Sequence, residues 1–312
     1  MTDRRGYLYG AGAYLIWGVF PLYFRALEAS GPFEIVAHRA MWSFVFATAL
    51  IVVLRQWSKV RAALRVPRTA WTLAMAGLLI TLNWTLYVWA VNSGHTLDAA
   101  MGYFINPLVS AFLAVVVLHE KLNPTQWVAF AFGGAAVVVL IVGYGSVPYF
   151  ALGMAFSFAL YGLVKKRVGA TVPALPGFAV ETGAVLPIAI GFVVYLTITG
   201  QQTATISAGH FGLLALAGPV TALPLLLFAG AASRLPLAAI GMLQYMTPIM
   251  QFLIGWLLFS EPLPPERLAG FVLVWIALVI FTVDALRSAR RTQRLMREAR
   301  RNAIEGTEPA ES

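Results

Sequence analysis

Two runs of polar side chains, separated by 141 residues, are the part of the sequence best suited to bind a small solute. The runs are Tyr103, Asn106, Pro107 and Ser110, and Gln244, Thr247, Pro248 and Gln251. Each run falls at positions i, i+3, i+4 and i+7, so it forms one polar stripe along an otherwise apolar helix. The hydroxyl and amide groups can hydrogen-bond a solute, but they supply no acid, base and nucleophile set of the kind that an enzyme needs.

An internal duplication explains why the two runs match. The same offset relates four identical pairs: Met101 and Met242, Glu120 and Glu261, Leu122 and Leu263, and Pro124 and Pro265. A weaker match, at an offset of 144, relates Trp17-Gly18 to Tyr161-Gly162. Aligned prolines, an aligned glutamate and an aligned polar face inside apolar helices together favour two copies of one ancestral segment.

The composition places the chain in a lipid bilayer. Of the 312 residues, 60% are hydrophobic and 11% are charged, whereas a soluble domain carries about a quarter charged residues. The net charge is +9, but the basic residues lie at the ends of apolar runs, so we expect no nucleic-acid partner. Because there is no cysteine and the four histidines are scattered, we also expect no metal and no cofactor.

Ten apolar segments, each near the ~20 residues of a spanning helix, predict an all-α polytopic membrane protein. They are residues 6–25, 34–54, 70–92, 98–118, 125–143, 149–166, 178–198, 209–230, 237–259 and 266–286. The first lacks a small-residue cleavage site, so we interpret it as a retained helix. Only residues 55–69 and the C-terminal tail are predicted to lie outside the membrane, which leaves no room for a soluble catalytic domain.

The lysines and arginines orient this arrangement. With a cytoplasmic N-terminus, all 22 of them except Arg25, Arg39 and Arg267 fall on the cytoplasmic side, so both termini are predicted to be cytoplasmic. Five spans per half mean that the second copy enters the membrane inverted, a plan found in secondary transporters. The predicted units are a first repeat, 6–143, a second repeat, 149–286, and a basic cytoplasmic tail, 287–312.

The polar stripes have two interpretations. They can line a wet cavity at the middle of the membrane, with Pro107 and Pro248 acting as hinges. They can also form ordinary interhelical hydrogen bonds, each contributing about 0.6 kcal/mol. Because the stripes are related by the duplication, we favour the cavity.

Spans one and three carry further candidates for the substrate path. Tyr14 and Trp17 share one face of span one with Arg25, which suits either a gate with an anion-attracting mouth or an interfacial aromatic belt with a snorkelling arginine. Span three supplies Asn83 and Tyr87. Asn83 is an amide and is expected to face protein rather than lipid, and its contact with substrate is left open.

Few charges lie near the spans. Glu34, Arg39 and Asp98 are expected toward the outer surface, close enough to pair with one another. Glu120 and Glu261 end their helices at opposite membrane faces, where each carboxylate opposes the helix dipole. We therefore expect each of these two glutamates to be held by the helix N-terminus of the following span, as a corner of the fold.

Several short motifs carry a family resemblance. They are Trp17-Gly18 with Pro21 and Tyr23; Glu34 with His38-Arg39, Trp42 and Ser43; Asn83-Trp84 with Tyr87 and Trp89 to Asn92; Gly102 to Leu108; Tyr161-Gly162-Leu163; and Gln244-Tyr245 with Pro248. These segments, with the Glu-x-Leu corners, resemble the RarD branch of the EamA family in the drug/metabolite transporter superfamily. The resemblance covers roughly residues 6–286.

The resemblance implies a bacterial inner-membrane permease with two inverted five-helix repeats and a central cavity. Carried over residue by residue, it puts these side chains near the path: Trp17, Asn83, Tyr103, Asn106, Tyr161, Gln244 and Thr247. Members of this branch are usually labelled chloramphenicol-sensitive or chloramphenicol-resistance permeases. The small multidrug branch uses a first-span glutamate for proton exchange, and this chain has no acid there, so that mechanism does not transfer.

The sequence therefore favours a multi-pass carrier of small metabolites or drug-like molecules, working by alternating access, and not an enzyme. Its expected partners are the lipid bilayer and a small-molecule substrate. The competing hypothesis is a polytopic sensor or scaffold that transports nothing. The oligomeric state is open, with a homodimer as one option.

Overall fold

The computed structural model describes residues 4–119, 122–145, 147–168, 171–235 and 237–305, and all regular structure in these ranges is helical. The helices, in chain order, are α1 (Arg4–Gly18), α2 (Phe20–Arg25), α3 (Pro32–Val53), α4 (Trp57–Arg65), α5 (Pro67–Asn92), α6 (Thr96–Leu118), α7 (Pro124–Tyr144), α8 (Tyr149–Lys166), α9 (Ala174–Ile198), α10 (Ala208–Ala232), α11 (Leu237–Leu243), α12 (Met246–Leu253), a π-helical turn (Ile254–Leu258) and α13 (Pro265–Glu305).

Seven of the described helices are long and apolar enough to cross a membrane: α3, α5, α6, α7, α9, α10 and α13. The other three predicted spans coincide with shorter or interrupted helices. The first predicted span is split into α1 and α2, the sixth is the 18-residue α8, and the ninth is α11, α12 and the π-helical turn. The count of ten spans therefore stays a prediction.

Prolines account for the interruptions. Pro21 has no N–H to donate to the carbonyl of Trp17, and the chain breaks at Val19. The ninth segment breaks at Gln244 and Tyr245, one turn before Pro248. Its counterpart Pro107 lies inside an unbroken α6. The two aligned prolines thus have different effects on their helices.

Proline also marks two matched helix starts. Pro124 and Pro265, related by the duplication, begin α7 and α13, where the missing N–H costs nothing. Asn123 strengthens the first of these starts, because its side chain accepts a hydrogen bond from Gln126 N at 2.9 Å and Gln126 Oε1 accepts one from Asn123 N at 3.1 Å.

Two regions outside the predicted spans are helical. The connection at 55–69 contains the short α4, and α13 continues past residue 286 to Glu305, so the beginning of the basic tail extends the last helix. Glu120 and residues 306–312 lie outside the described residues.

The helix contacts are symmetric between the two predicted halves of the chain. When each helix is replaced by its counterpart in the other half, the main contacting pairs map onto contacting pairs. The pairs α3 with α9 and α7 with α13 each map onto themselves. α8 packs against α5 and α6. Its counterpart α1 packs against their counterparts, α10 and α12. α3 also packs against α10, as α5 does against α9. This is the contact pattern that a duplicated bundle gives.

Two glycines, again 141 residues apart, set the closest of these crossings. A Cβ atom on Gly77 of α5 would lie 2.4 Å from the carbonyl oxygen of Glu181 on α9. A Cβ atom on Gly218 of α10 would lie 2.4 Å from the carbonyl oxygen of Trp42 on α3. Only a residue without a side chain allows these backbones to approach so closely.

Candidate functional site

The α6 stripe faces partly into the bundle. The ring of Tyr103 lies 5.7 Å from that of Tyr87 and 6.4 Å from that of Phe158. Asn106 is partly buried, and its Oδ1 atom is buried without a hydrogen-bond partner among the described residues. Ser110, one turn further, is exposed. The stripe therefore presents an aromatic hydroxyl and an amide to the protein side.

The second stripe binds the backbone of the first span. Thr247 Oγ1 donates to the carbonyl of Tyr14 at 3.0 Å, and Gln251 Nε2 donates to the carbonyl of Trp17 at 3.1 Å. The latter is the carbonyl that Pro21 leaves without a helical donor. Gln244 is partly buried. Two of the three polar side chains in this stripe thus hold α12 against α1.

This contact gives a testable expectation for Gln251. Its replacement with alanine should lower the free energy of unfolding by about 1 kcal/mol, because interhelical hydrogen bonds in membranes contribute about 0.6 and at most about 1.7 kcal/mol. In a Pro21→Ala background, the N–H of residue 21 can donate to the Trp17 carbonyl. Gln251→Ala should therefore cost less in that background. The measurement is a double-mutant cycle on the protein purified in detergent.

Ser110→Ala is the matched control for this cycle, since Ser110 occupies the equivalent position on α6 but is exposed. It should leave stability unchanged. An equal cost of Gln251→Ala in both backgrounds would contradict the role assigned to the Trp17 carbonyl.

Asn83 joins a helix of the first half to one of the second half, and Tyr161 joins two helices of the second half. Asn83 is 1% exposed, and its Nδ2 donates to Met154 O at 3.0 Å and to Ser157 Oγ at 3.1 Å, both on α8. The hydroxyl of Tyr161 donates to Glu181 Oε2 at 3.3 Å. Glu181 is buried and forms an ion pair with Lys165, so this end of α8 is fastened to α9.

Tyr14 and Trp17 form an aromatic cluster with Phe228 of α10. The three ring centroids are separated by 5.5 Å, 6.2 Å and 6.0 Å. Tyr14 is buried and Trp17 is half-buried, so the face of α1 that they share is turned toward protein.

The charges expected to pair with one another do not do so. Asp98 Oδ1 accepts from Arg267 Nη2 at 2.7 Å, and Glu34 accepts from the backbone N and the hydroxyl of Thr203 at 2.7 Å and 3.0 Å. Arg25 forms a surface pair with Glu28 at 3.0 Å. The expectation that Glu34, Arg39 and Asp98 pair is therefore wrong, because each packs against a different neighbouring helix or loop.

Glu261 is held by a helix N-terminus, as expected, but the helix is a different one. Its carboxylate accepts hydrogen bonds from the backbone N–H groups of Thr96 at 2.6 Å and Leu97 at 2.8 Å, at the start of α6. The prediction named the following span, which is α13, and in that detail it is wrong. Local sequence cannot show which helix end packs beside a corner. The matching expectation for Glu120 falls outside the described residues.

Arg39 lies in an aromatic environment inside the bundle. It is 4% exposed, and its guanidinium carbon lies 4.1 Å from the ring centroid of Trp84, 5.3 Å from that of Phe24 and 5.5 Å from that of Phe20. Its Nε donates to Thr221 Oγ1 of α10 at 2.9 Å. Tyr87 packs its ring 5.8 Å from that of Phe24. The Arg39 cluster consists of Arg39, Phe20, Phe24, Trp84, Tyr87 and Thr221.

The chain has relatives that match it over nearly its whole length. The model of the EamA-like transporter family matches residues 4–142. Protein RarD of Streptomyces exfoliatus is 49% identical over 292 residues, which cover 93% of this chain and 92% of that protein. Protein RarD of Escherichia coli is 40% identical over 299 residues, covering 93% and 98% of the two chains. The chain belongs to the RarD branch of the EamA family.

Membership in the RarD branch makes the protein a multi-pass membrane transporter. Another relative, the uncharacterized transporter YojE of Bacillus subtilis, is 43% identical over 295 residues, covering 93% of this chain and 97% of that one. A protein of known crystal structure shares the fold with a TM-score of 0.57 at 18% identity, over 92% of this chain and 99% of its own.

For this RarD-branch protein, the sequence does not predict the aromatic contacts of Arg39. The sequence places Arg39 toward the outer surface, whereas the structure surrounds its guanidinium with rings from α2 and α5. Phe20 and Phe24 are spaced i, i+4 and so share a helix face, but nothing in the sequence links that face to Arg39 on another helix. Thr221 was missed for the same reason.

Proposed function

We propose that the protein is a secondary carrier that moves small metabolites or drug-like molecules across the bacterial inner membrane by alternating access. The observation that carries this proposal is that the two halves make matching helix contacts, including the close crossings at Gly77 and Gly218. A bundle built from two matched halves can rock between two related conformations around a site between them.

The finer features of the proposal rest on sequence and on these contacts together. They are ten spans, two inverted repeats and cytoplasmic termini, supported by the placement of all but three basic residues on one side. The described helices cover each of the ten apolar segments, although three segments are short or interrupted. The names of the relatives support transport but specify no solute for this chain.

The path that we propose runs between the two stripes. Tyr103 and Asn106 border it from α6, and Gln244 borders it from the break between α11 and α12. The buried and unpartnered Oδ1 of Asn106 supports this assignment, since a buried amide oxygen without a donor is costly unless a solute or water supplies one.

The test is solute flux in liposomes that contain the purified protein, with and without a pH gradient. Asn106→Ala and Gln244→Ala should each reduce the initial rate at least about tenfold, because each removes a polar group that the solute needs, while the protein stays inserted and monodisperse. Thr85→Ala is the control, since the Thr85 hydroxyl donates to Thr81 O of its own helix at 2.9 Å. It should transport at the normal rate.

Two outcomes would count against the proposal. The first is an absence of flux for every solute of a metabolite panel, beside normal flux through a reference carrier. The second is normal flux in both stripe variants. Either result would favour the competing hypothesis of a sensor or scaffold.

A further inference from the structure

Arg39 is a cation buried deep in an apolar helix. It lies seven residues beyond Pro32, the first residue of α3, which corresponds to about 10 Å along the helix axis. Its neighbours Trp84 and Tyr103 lie at similar distances from the ends of α5 and α6. The guanidinium is thus well inside the bundle, at a depth where an unpaired charge is expensive.

Little of the hydrogen-bonding capacity of Arg39 is used. Nε donates to Thr221 Oγ1, and this is the one hydrogen bond that its side chain makes within the part of the chain that the structure describes. None of the described carboxylates forms an ion pair with it. Both terminal NH2 groups of the guanidinium are therefore without an acceptor among the described residues.

The other buried charges in the described ranges do have partners. They are Glu34 with Thr203, Arg267 with Asp98, Glu181 with Lys165, Glu261 with the start of α6, and Asp284 with Asn123. Arg39 differs from these groups because only its Nε has an acceptor among the described residues, and its positive charge has no carboxylate partner there.

Contacts with aromatic rings offset only part of this cost. A desolvated cation–π contact contributes about 2 kcal/mol, whereas removing a charge from water costs several kcal/mol. An anionic group on a bound solute would complete the ion pair.

We propose that Arg39 binds the carboxylate of the transported solute, and that the rings of the Arg39 cluster pack against an apolar or aromatic part of the same molecule. This inference rests on the proposed carrier function and names its substrate class, an amphipathic monocarboxylate. The two free NH2 groups form the end of a planar fork that matches a carboxylate in a bidentate manner.

A single arginine also argues for one negative charge. No second cation of the described residues belongs to the Arg39 cluster. Arg39 would therefore neutralise only one of the two negative charges of a phosphate group. Tyr87 adds a donor, because it is 2% exposed and its hydroxyl has no hydrogen-bond partner among the described residues. That hydroxyl can satisfy a further lone pair of a bound carboxylate.

The fold also offers a way to reach this buried group. Phe20 and Phe24 belong to α2, a six-residue helix separated from α1 by the break at Val19. A short helix next to a break can change its direction with few lost backbone hydrogen bonds. Movement of α2 would withdraw two rings from the guanidinium and open it to solute.

The experiment compares matched carboxylates and amides on the full-length protein in lipid nanodiscs. The pairs are phenylacetate with phenylacetamide, indole-3-acetate with indole-3-acetamide, and hexanoate with hexanamide. Binding is measured as the concentration-dependent rise in melting temperature and by calorimetry. We expect at least one carboxylate to bind and its amide partner to bind at least about tenfold more weakly.

Substitutions then assign the effect to Arg39. Arg39→Gln should weaken carboxylate binding about 30-fold or more, since truncating one member of a buried charge pair has effects of that size. Arg39→Lys keeps the charge but loses the fork, and should weaken it about tenfold. Arg61→Gln, on the exposed face of α4, is the control and should bind normally. If Arg39→Gln does not fold, Arg39→Lys and Thr221→Val carry the test.

Three results would overturn the proposal: no carboxylate in the panel binds, amides bind as well as carboxylates, or the Arg39 variants retain full affinity. A purely structural Arg39 would lower the melting temperature of the variants without changing carboxylate affinity. If neutral solutes are transported without any carboxylate binding, the carrier stands and this inference fails. If carboxylates bind through Arg39 but no solute crosses the membrane, the proposed carrier function fails instead.

Discussion

Replacing either Gly77 or Gly218 with alanine is expected to destabilise the protein by about 2–3 kcal/mol, or to prevent its assembly altogether. Both glycines are buried at helix crossings, and an added Cβ would lie 2.4 Å from a backbone carbonyl oxygen of the opposing helix. Real Cβ atoms do not approach an oxygen so closely. The added methyl group must therefore push two packed helices apart, and overpacking of this kind typically costs about 1–3 kcal/mol.

The obstacle in each case is main chain, which explains the size of the effect. A flexible side chain can rotate away from a new methyl group, whereas the carbonyls of Glu181 and Trp42 are fixed in the middle of α9 and α3. Gly18 differs in this respect, since its added Cβ would meet the flexible side chain of Met250. We expect a smaller cost there.

Gly212→Ala is the matched control, because Gly212 lies in α10 with Gly218 and an added Cβ has nothing within 4 Å. Alanine is favoured over glycine in a helix by about 1 kcal/mol, so this variant should be as stable as the parent or slightly more so. Melting temperatures from size-exclusion profiles of heated, detergent-solubilised protein provide the measurement. If Gly77→Ala proves no less stable than Gly212→Ala, the close crossing does not exist.

The paired glycines also show how far the sequence alone can lead. The offset of 141 residues relates Gly77 to Gly218 just as it relates Pro107 to Pro248, so the duplication itself was readable. The family and its membrane character followed from motifs and composition. What the sequence could not tell is which face of a helix meets which neighbour, because apolar residues surround these helices on all sides.

The candidate site illustrates the same limit. Tyr103 and Asn106 were identifiable from their spacing, since polar groups in an apolar helix must face protein or water. Gln251 was identifiable too, but its partner, the Trp17 carbonyl, is 234 residues away. The aromatic surroundings of Arg39 come from separate helices, and only tertiary packing brings them together. The substrate-path residues remain predictions that the flux measurements must test.

Removing the carboxylate of Glu261 is the second substitution with a large expected effect. Glu261 is 5% exposed and accepts two backbone hydrogen bonds at the start of α6. Glu261→Ala leaves the N–H groups of Thr96 and Leu97 buried without acceptors, and it removes a negative charge that favours the positive end of the helix dipole. Hydrogen bonds to charged groups contribute about 1.5–3 kcal/mol each, so we expect a loss of about 3 kcal/mol in unfolding free energy.

The control for this prediction is Glu28→Ala, which removes an exposed glutamate whose pair with Arg25 lies at the surface. Such surface pairs contribute at most about 1 kcal/mol. Equal costs for Glu261→Ala and Glu28→Ala would refute the capping role. Both variants are compared by denaturant titration in the same detergent, with circular dichroism reporting helix content.

Glu261→Gln distinguishes the contribution of the negative charge of Glu261 from that of its hydrogen bonds to the start of α6. The amide retains one oxygen that can accept a hydrogen bond, so this variant should lose about half as much stability as Glu261→Ala. The distinction bears on function because α6 carries Tyr103, which stacks on Tyr87 of the Arg39 cluster. A frayed α6 should displace Tyr103, so we expect carboxylate binding to weaken in Glu261→Ala and to survive in Glu261→Gln. Loss of binding in both variants would mean that the charge of Glu261, and not its anchoring of the helix, supports the site.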